Sequence, residues 1–338
     1  MGNRNIILLT ELKKISDQKI TIGYIKEMLI KNSLKIITLT LSVLTFSQNS
    51  FSNEAFLKGW EGYVHIEQAE TKYKDNAQGS TVDNDNPGQP FTRGHLSLFK
   101  NFNDSSNLIQ YDLSYEGYNM EKTDNDATGY ILSNKLNFQK NSNILNYGLF
   151  VNYSENGDRG DNDAYTSNFW HYGAQINKFF DNTNTKVGFS YGEVRAEDYY
   201  GEGIANNRPG NNYNFYVQQY YKDNLRIGYS LNLLDGERDN ANNPRDSNAN
   251  NRVHVSSHLV NLEYYLSEKY PFAITASYEI INYRPGQNET DWPHADEFKL
   301  GIKYIFGGEK TLMAFDKGRI SHQANVENYW THLANEIE

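Results

Sequence analysis

The chain contains no cysteine among its 338 residues, and only 7 prolines and 4 methionines. The absence of cysteine excludes disulfides, cysteine-ligated zinc and thiol catalysis together. Basic residues are also in the minority: 32 Lys and Arg against 42 Asp and Glu give a net charge of -10. This charge argues against a nucleic-acid partner, which requires a basic surface. Hydrophobic residues are scarce as well, at 38%, fewer than a soluble core of this size normally uses.

Aromatic residues, in contrast, make up 14% of the chain, including 26 Tyr, and they recur in runs that alternate with polar residues. Between 296 and 308, for example, apolar residues occupy 298, 300, 302, 304 and 306. A period of two places one set of side chains on each face of a β-strand. Twelve runs of this kind predict strands at 60-68, 92-100, 107-117, 129-139, 143-154, 168-180, 185-194, 212-222, 224-234, 254-267, 271-283 and 296-306.

The connections between these runs alternate in length. Long segments lie at 69-91, 118-128, 155-167, 195-211, 235-253 and 284-295, and only a few residues join the other pairs. An antiparallel meander has this pattern when its two ends face different compartments, as in barrels with short periplasmic turns and long outer loops. Strands of about 9 to 11 residues also suit a tilted crossing of a bilayer.

The last predicted strand carries a more specific motif, KLGIKYIF at 299-306, with the form polar-x-Gly-x-x-aromatic-x-aromatic. With this motif, the chain resembles the bacterial outer-membrane β-barrel superfamily over about residues 57-306, and no narrower family is indicated. In that superfamily the barrel assembly machinery reads such a strand. The resemblance therefore implies an assembly signal at Lys299, Gly301, Tyr304 and Phe306. The motif departs from the superfamily in its place, because 32 residues follow it.

We therefore predict an all-β fold, a transmembrane antiparallel up-and-down barrel of about twelve strands at 53-308. A secretory signal peptide is expected at 28-52, because Lys31 and Lys35 precede an apolar run at 36-46 and a small-x-small site at 50-52. Residues 1-27 are interpreted as an extension from an upstream mis-start. The expected location is the outer membrane of a Gram-negative bacterium.

The residues after 308 form a C-terminal periplasmic tail or helix in this interpretation. Val326, Leu333 and Ile337 recur at helical spacing. Such a segment could dock in the barrel mouth, contact a partner or fray, and we expect a free appendage outside the barrel wall. A competing interpretation makes 311-315 part of another strand, for a total of fourteen.

If the apolar series faces lipid, the alternate series faces the lumen, because a closed sheet has only two sides. A polar lumen with charges of both signs follows. These charges could form a selectivity filter, or they could pair across the interior and fill it; the strand count favours an open path. The predicted pore-lining residues are Glu61, His65, Glu67, Arg93, His95, Asp112, Glu116, Lys135, Arg226, Glu263, Glu279, Lys299 and Lys303.

The expected function is a porin-like channel for passive diffusion of small hydrophilic solutes, with no enzymatic activity, cofactor or metal. Its partners would be these solutes, outer-membrane lipid and the barrel assembly machinery. The alternative is a non-conducting surface barrel, an adhesin or receptor that acts through its Asn/Asp-rich outer loops. Two further motifs do not change this expectation. Acidic clusters at 83-86, 124-126 and 158-163 are interpreted as loops rather than calcium sites, and His254 and Ser256 lack the rest of a lipid-hydrolase motif.

Overall fold

Within the described residues, twelve strands form one closed antiparallel barrel in which each strand pairs with its neighbours in sequence and β1 closes against β12. The computed structural model describes residues 59-74, 89-102, 106-121, 126-159, 164-197, 206-239, 252-285, 294-307, 311-317 and 319-320. The strands are β1 Glu61–Lys74, β2 Gln89–Phe102, β3 Asn107–Glu121, β4 Asp126–Lys140, β5 Asn146–Arg159, β6 Ala164–Phe180, β7 Thr185–Glu197, β8 Asn206–Tyr221, β9 Leu225–Asp239, β10 Arg252–Ser267, β11 Tyr270–Pro285 and β12 His294–Phe306. The predicted fold class is therefore confirmed.

The strands are longer than the alternation predicted, and most of the excess lies at the ends joined by the long connections. β1 continues to Lys74 instead of 68, and β8 begins at Asn206 instead of 212. The described strands have 13 to 17 residues, whereas about 9 to 11 suffice to cross a bilayer. The sheet therefore extends past the membrane at its long-loop end.

Side chains alternate between a buried inner face and an exposed apolar outer face. On β5, Leu149 is 65% exposed and the next residue, Phe150, only 4%. The outer faces of β6, β10 and β11 are of the same kind, with Ile176, Leu262 and Ile274 all at least 40% exposed. An apolar surface of this extent is unfavourable in water, and in a closed barrel it matches the hydrocarbon core of a membrane.

Aromatic side chains collect at two levels of this outer face. One level lies within three residues of the short turns and includes Phe138, Tyr147, Phe180, Tyr221, Tyr270, Tyr304 and Phe306. The other lies about eight residues further along the strands and includes Tyr115, Tyr130, Tyr153, Trp170 and Tyr278. Eight residues at about 3.3 Å each, tilted by about 40°, separate the levels by roughly 20 Å. These are the two girdles that flank the apolar band of an outer-membrane barrel.

After β12 the chain turns at Gly307, whose φ of 61° is a left-handed conformation that glycine adopts without strain. A short helix, α1, follows at Leu312–Lys317. The interpretation of 311-315 as a strand, and with it a fourteen-stranded barrel, is therefore wrong. Leu312 and Phe315 lie one helical turn apart and are both buried, so packing of that one face stabilises a helix that would be marginal alone.

No helix in the described parts of the chain is long and apolar enough to span a membrane. Several predictions lie outside the described residues: the extension and signal peptide at 1-52, the acidic clusters at 83-86, 124-125 and 160-163, and the helical spacing from Val326 to Ile337.

Candidate functional site

The inner face of the barrel divides into two unlike halves. Strands β10 to β12 and β1 to β3 carry the acidic residues among the described inner side chains, together with Arg93, Lys299 and Lys303. Strands β4 to β9 carry mainly neutral amides and hydroxyls, with Lys135, Lys186 and Arg226 as their charged members. The buried amides of this second half are Asn137, Gln139, Asn146, Asn152, Gln175, Asn177, Asn212, Asn214, Gln218 and Asn232.

Arg93 forms the first charged cluster with two carboxylates on the neighbouring strands. The register places Arg93 of β2 opposite Glu67 of β1 and Glu116 of β3. Its Nη1 donates to Glu67 Oε1 at 2.8 Å, and its Nε and Nη2 donate to Glu116 Oε2 at 2.7 and 2.5 Å. All three residues are at most 8% exposed, so the guanidinium holds two acidic side chains in a closely packed part of the wall.

Glu263 of β10 is the centre of the second charged cluster. Lys303 Nζ donates to both of its carboxylate oxygens at 2.7 Å, and Arg226 Nη2 donates to Oε2 at 2.5 Å. Lys303 lies two strands away, and it reaches Glu263 across the small residue Ala273 of β11. On the same side of the barrel, Lys299 pairs with Glu279 at 2.9 Å and also with Glu297.

The two predicted histidines on β1 and β2 join these clusters. His65 Nε2 lies 2.8 Å from Thr275 Oγ1 on β11, so the contact passes over β12. It can do so because Gly301 lies between them: a Cβ there would approach His65 Nε2 to 2.6 Å and Thr275 Oγ1 to 2.7 Å. His95 Nε2 lies 3.4 Å from Asp112 Oδ1. Gly301 thus has a packing role in the lumen that its place in the motif did not indicate.

A cavity of about 100 Å³ lies between the charged clusters. Tyr63, His65 and Ser277 contribute to its lining, together with parts of the Arg93 and Glu263 clusters. This volume holds a few water molecules or a very small solute. Its wall presents cations and anions side by side.

The neutral half is held by hydrogen bonds between amides on successive strands. Asn146 Nδ2 donates to Asn177 Oδ1 at 3.1 Å, and Asn177 Nδ2 donates to Gln139 Oε1 at 2.8 Å. Lys135, the predicted lumen residue on β4, lies with its ammonium 4.9 Å from the centre of the Phe150 ring. This half of the wall therefore combines neutral donors and acceptors with a few separated cations.

The alternation predicted a polar lumen, but the lumen also contains two apolar layers. Apolar side chains form a layer near the short turns, with Phe99, Leu108, Tyr220, Tyr265 and Ile305 among its buried members. A second, smaller layer of Ala69, Phe91 and Ile131 lies toward the long loops. The prediction was wrong at these two levels because apolar residues also occur in the inward series, where they fill space inside the barrel.

Residues 311-317 and 319-320 pack into the short-turn end of the lumen. Leu312, Phe315 and Ile320 are at most 7% exposed and belong to the apolar layer of Phe99 and Leu108. The expectation of an appendage outside the barrel wall is wrong for this segment. Of the three alternatives, docking in the barrel mouth is the one that the described residues support.

Polar contacts fix the same segment to the wall. Met313 N donates to Asp223 O at 2.9 Å, in the turn between β8 and β9. Arg319 pairs with Glu61, and its guanidinium lies 3.4 Å from the ring centres of both Phe99 and Phe315. Residues 311-317 and 319-320 therefore cover part of the short-turn mouth, and we call them the C-terminal plug.

The predicted pore-lining residues all project inward, and most of them meet in the charged clusters. Lys135 stands apart on the neutral half, and Glu61 is engaged by the plug. Sequence reasoning missed Glu297, Lys186 and the plug residues. Glu297 and Lys186 alternate in phase with inward residues of their own strands and could have been found, whereas the position of the plug has no periodic signal.

Of the residues predicted for the assembly signal, Tyr304 and Phe306 stack 6.3 Å apart on the outer face.

The described residues also bear on the lipid-hydrolase motif at His254 and on metal binding. His254 Nδ1 lies 2.6 Å from Asp235 Oδ1 on the outer face, near the long-loop end. Among the residues described, no group of three or more acidic or histidine side chains is arranged to hold a metal ion.

The closed barrel, its apolar outer band and its two aromatic girdles define a class: the chain is a transmembrane β-barrel of the bacterial outer-membrane type. No protein-family model matches the chain, and no curated protein matches its sequence.

Solved outer-membrane barrels are similar to it at low identity. The translocator domain of the autotransporter NalP from Neisseria meningitidis is 9% identical, with 81% of this chain and 98% of that chain covered and a TM-score of 0.44. An outer membrane channel from Pseudomonas putida F1 is 12% identical, with 73% and 96% covered and a TM-score of 0.47. The outer membrane channel DcaP of Acinetobacter baumannii is 10% identical, with 73% and 96% covered and a TM-score of 0.38.

Proposed function

We propose that this protein is a narrow outer-membrane channel for small hydrophilic solutes, with a passage along the charged inner wall. The observation that carries the proposal is the cavity between the Arg93 and Glu263 clusters, whose lining presents both signs of charge. A wall of this kind sorts solutes by size and charge without a covalent step or cofactor.

The energetics of buried charge support this function. Replacing a buried ion pair by well-packed apolar side chains is often neutral or stabilising by about 1–4 kcal/mol. A barrel interior that served stability alone would therefore gain little from Arg93, Lys299 and Lys303. Charges of both signs inside a twelve-stranded barrel are better explained by water and solute that pass them.

The proposed channel differs from a permanently open pore. The plug covers part of the short-turn mouth, and the cavity is far smaller than the barrel that surrounds it. Passage of a solute therefore requires the plug or the charged side chains to move. Conductance should consist of infrequent openings rather than one constant open level.

A second candidate function is a non-conducting surface barrel that acts through its outer loops. Two observations favour it. Most inward side chains are buried by one another, and the strands extend past the aromatic girdle that lies farther from the short turns. In that case the ion pairs would serve only to fill and rigidify the scaffold.

Purified protein in a planar lipid bilayer separates the two candidates. Discrete conductance steps support the channel, and silence from a barrel that is verified as folded by its heat-dependent shift on a gel supports the surface barrel. Lys299→Met and Lys303→Met should shift the ion preference toward cations, since each removes a positive charge from the passage. Lys178→Met is the matched control, because Lys178 projects from the outer face beside Phe180 and should leave the preference unchanged.

A further inference from the structure

The plug places one carboxylate in a site that the barrel wall supplies. Arg226 Nη1 donates to Asp316 Oδ2 at 2.7 Å, and Tyr220 Oη donates to the same oxygen at 3.0 Å. Lys186 Nζ donates to the backbone oxygen of Asp316 at 2.8 Å and to that of Arg319. A guanidinium, a phenol and an ammonium thus converge on one acidic residue.

These three donors belong to adjacent strands of the barrel wall. Lys186 is on β7, Tyr220 on β8 and Arg226 on β9, with Tyr220 directly opposite Arg226 in the register. Tyr220 and Lys186 are 2% and 0% exposed. Glu263 holds the other side of the Arg226 guanidinium, which leaves Nη1 directed at the plug. The wall therefore places three donors around the position that Asp316 occupies.

The donor set suits an organic carboxylate. Tyr220 and Arg226 both donate to one carboxylate oxygen of Asp316. A guanidinium and a hydroxyl are strong donors to such an oxygen. Among the described inner side chains of β4 to β9 none is acidic, so this half of the wall does not repel an anion. The acidic residue Glu61 belongs to the other half of the wall, on β1, where it pairs with Arg319 of the plug.

We infer that Lys186, Tyr220 and Arg226 form a carboxylate-binding site for the transported solute, which Asp316 of the plug occupies in the closed channel. The inference rests on the proposed channel function and adds a solute class, small organic anions, and a mechanism of opening. A solute carboxylate that takes the place of Asp316 removes the polar anchor of the plug. The site is linked to the cavity, because Arg226 and Lys303 share Glu263.

The test is made on the full-length protein in planar bilayers with acetate as the probe carboxylate. Asp316→Asn should raise the open probability about tenfold or more, since it removes a charged partner from a buried guanidinium. The open channel should prefer chloride to potassium. Acetate bound at the site should lower the current through each open channel, an effect that we call the acetate block. Arg226→Gln combined with Asp316→Asn should abolish both the anion preference and the acetate block.

Asp181→Asn is the matched control. Asp181 also pairs with the plug, through Lys317, but both side chains are more than half exposed, so its loss should change the open probability little. If Asp316→Asn fails to insert, the wild-type protein is titrated with sodium acetate instead. Its open probability should rise with acetate but not with equal sodium chloride.

The outcomes distinguish this inference from the proposed function. An Asp316→Asn channel that conducts without anion preference, or that keeps its acetate block after Arg226→Gln, overturns the carboxylate site and leaves the channel standing. A wild-type open probability that does not respond to acetate also overturns the site. Silence from every folded variant overturns both.

Discussion

Removal of the Arg93 guanidinium tests whether the ion pairs of the Arg93 cluster are buried and closely packed. Arg93→Met keeps most of the side-chain volume but leaves the Glu67 and Glu116 carboxylates without their cation. Both carboxylates are buried, Glu116 with only 1% exposure. Breaking a buried pair from one side costs about 3–5 kcal/mol, because the remaining charge is uncompensated. The free energy of unfolding should fall by that amount.

A matched triple variant separates the loss of pairing from the loss of packing. Glu67→Met, Arg93→Met and Glu116→Met together replace all three charged side chains by apolar ones and preserve the approximate volumes. Because charge burial is then no longer a cost, the triple variant should recover the wild-type free energy of unfolding or exceed it by about 1–4 kcal/mol. Under the proposed function, its ion selectivity should nevertheless change.

The free energies are measured by urea titration of the barrel in lipid vesicles, with intrinsic tryptophan fluorescence as the signal. A loss below about 1 kcal/mol for Arg93→Met would place this guanidinium in water, where ion pairs contribute little. A triple variant as unstable as the single one would show that shape, and not charge, decides stability at this level. Either result would refute the description of the Arg93 cluster.

Three further predictions concern the outer face and the last strand. Leu262→Lys should lower the free energy of unfolding in vesicles by about 2–4 kcal/mol, because Leu262 lies in the apolar outer band. Ser256→Lys, nearer the loop end of the same strand, should lower it by at most about 1 kcal/mol. Equal losses would contradict the position of Leu262 inside the apolar band and of Ser256 outside it. Gly301→Val should cost about 1–3 kcal/mol by overpacking against the Thr275 side chain, and an unchanged midpoint of urea unfolding would argue against the contact. Phe306→Ala should reduce the heat-modifiable barrel recovered from cells at unchanged expression, and full recovery would exclude Phe306 from the assembly signal.

Strand number and side-chain facing could be predicted because they depend on local alternation. Ile302 and Lys303, for instance, are adjacent and must project to opposite sides of any sheet, and the apolar one then selects lipid. The ends of the strands were harder to predict. The last part of β1, up to Lys74, alternates poorly, and its pairing with β12 extends the strand.

The interior was harder to predict, since its contacts depend on register and on distance across the barrel. Lys303 and Glu263 could be assigned to the lumen, but their pairing across β11 depends on the small side chain of Ala273. Phe99 belongs to the inward series although it is apolar, and polarity alone assigns an apolar strand residue to the lipid face. The helix of the plug is one short turn that tertiary contacts stabilise, and such a segment has no periodic signal.

Cysteine labelling tests the central claim, a hydrophilic passage that reaches the cavity, most directly. The natural chain contains no cysteine, so a single introduced thiol reports one position without further changes. Ser277→Cys places the thiol in the cavity lining, and Ile274→Cys places it on the lipid-facing side of the same strand, where Ile274 is 49% exposed. A charged, membrane-impermeant thiol reagent added from the loop side should modify the first and spare the second. An unmodified Ser277→Cys thiol in a folded barrel would contradict the claim.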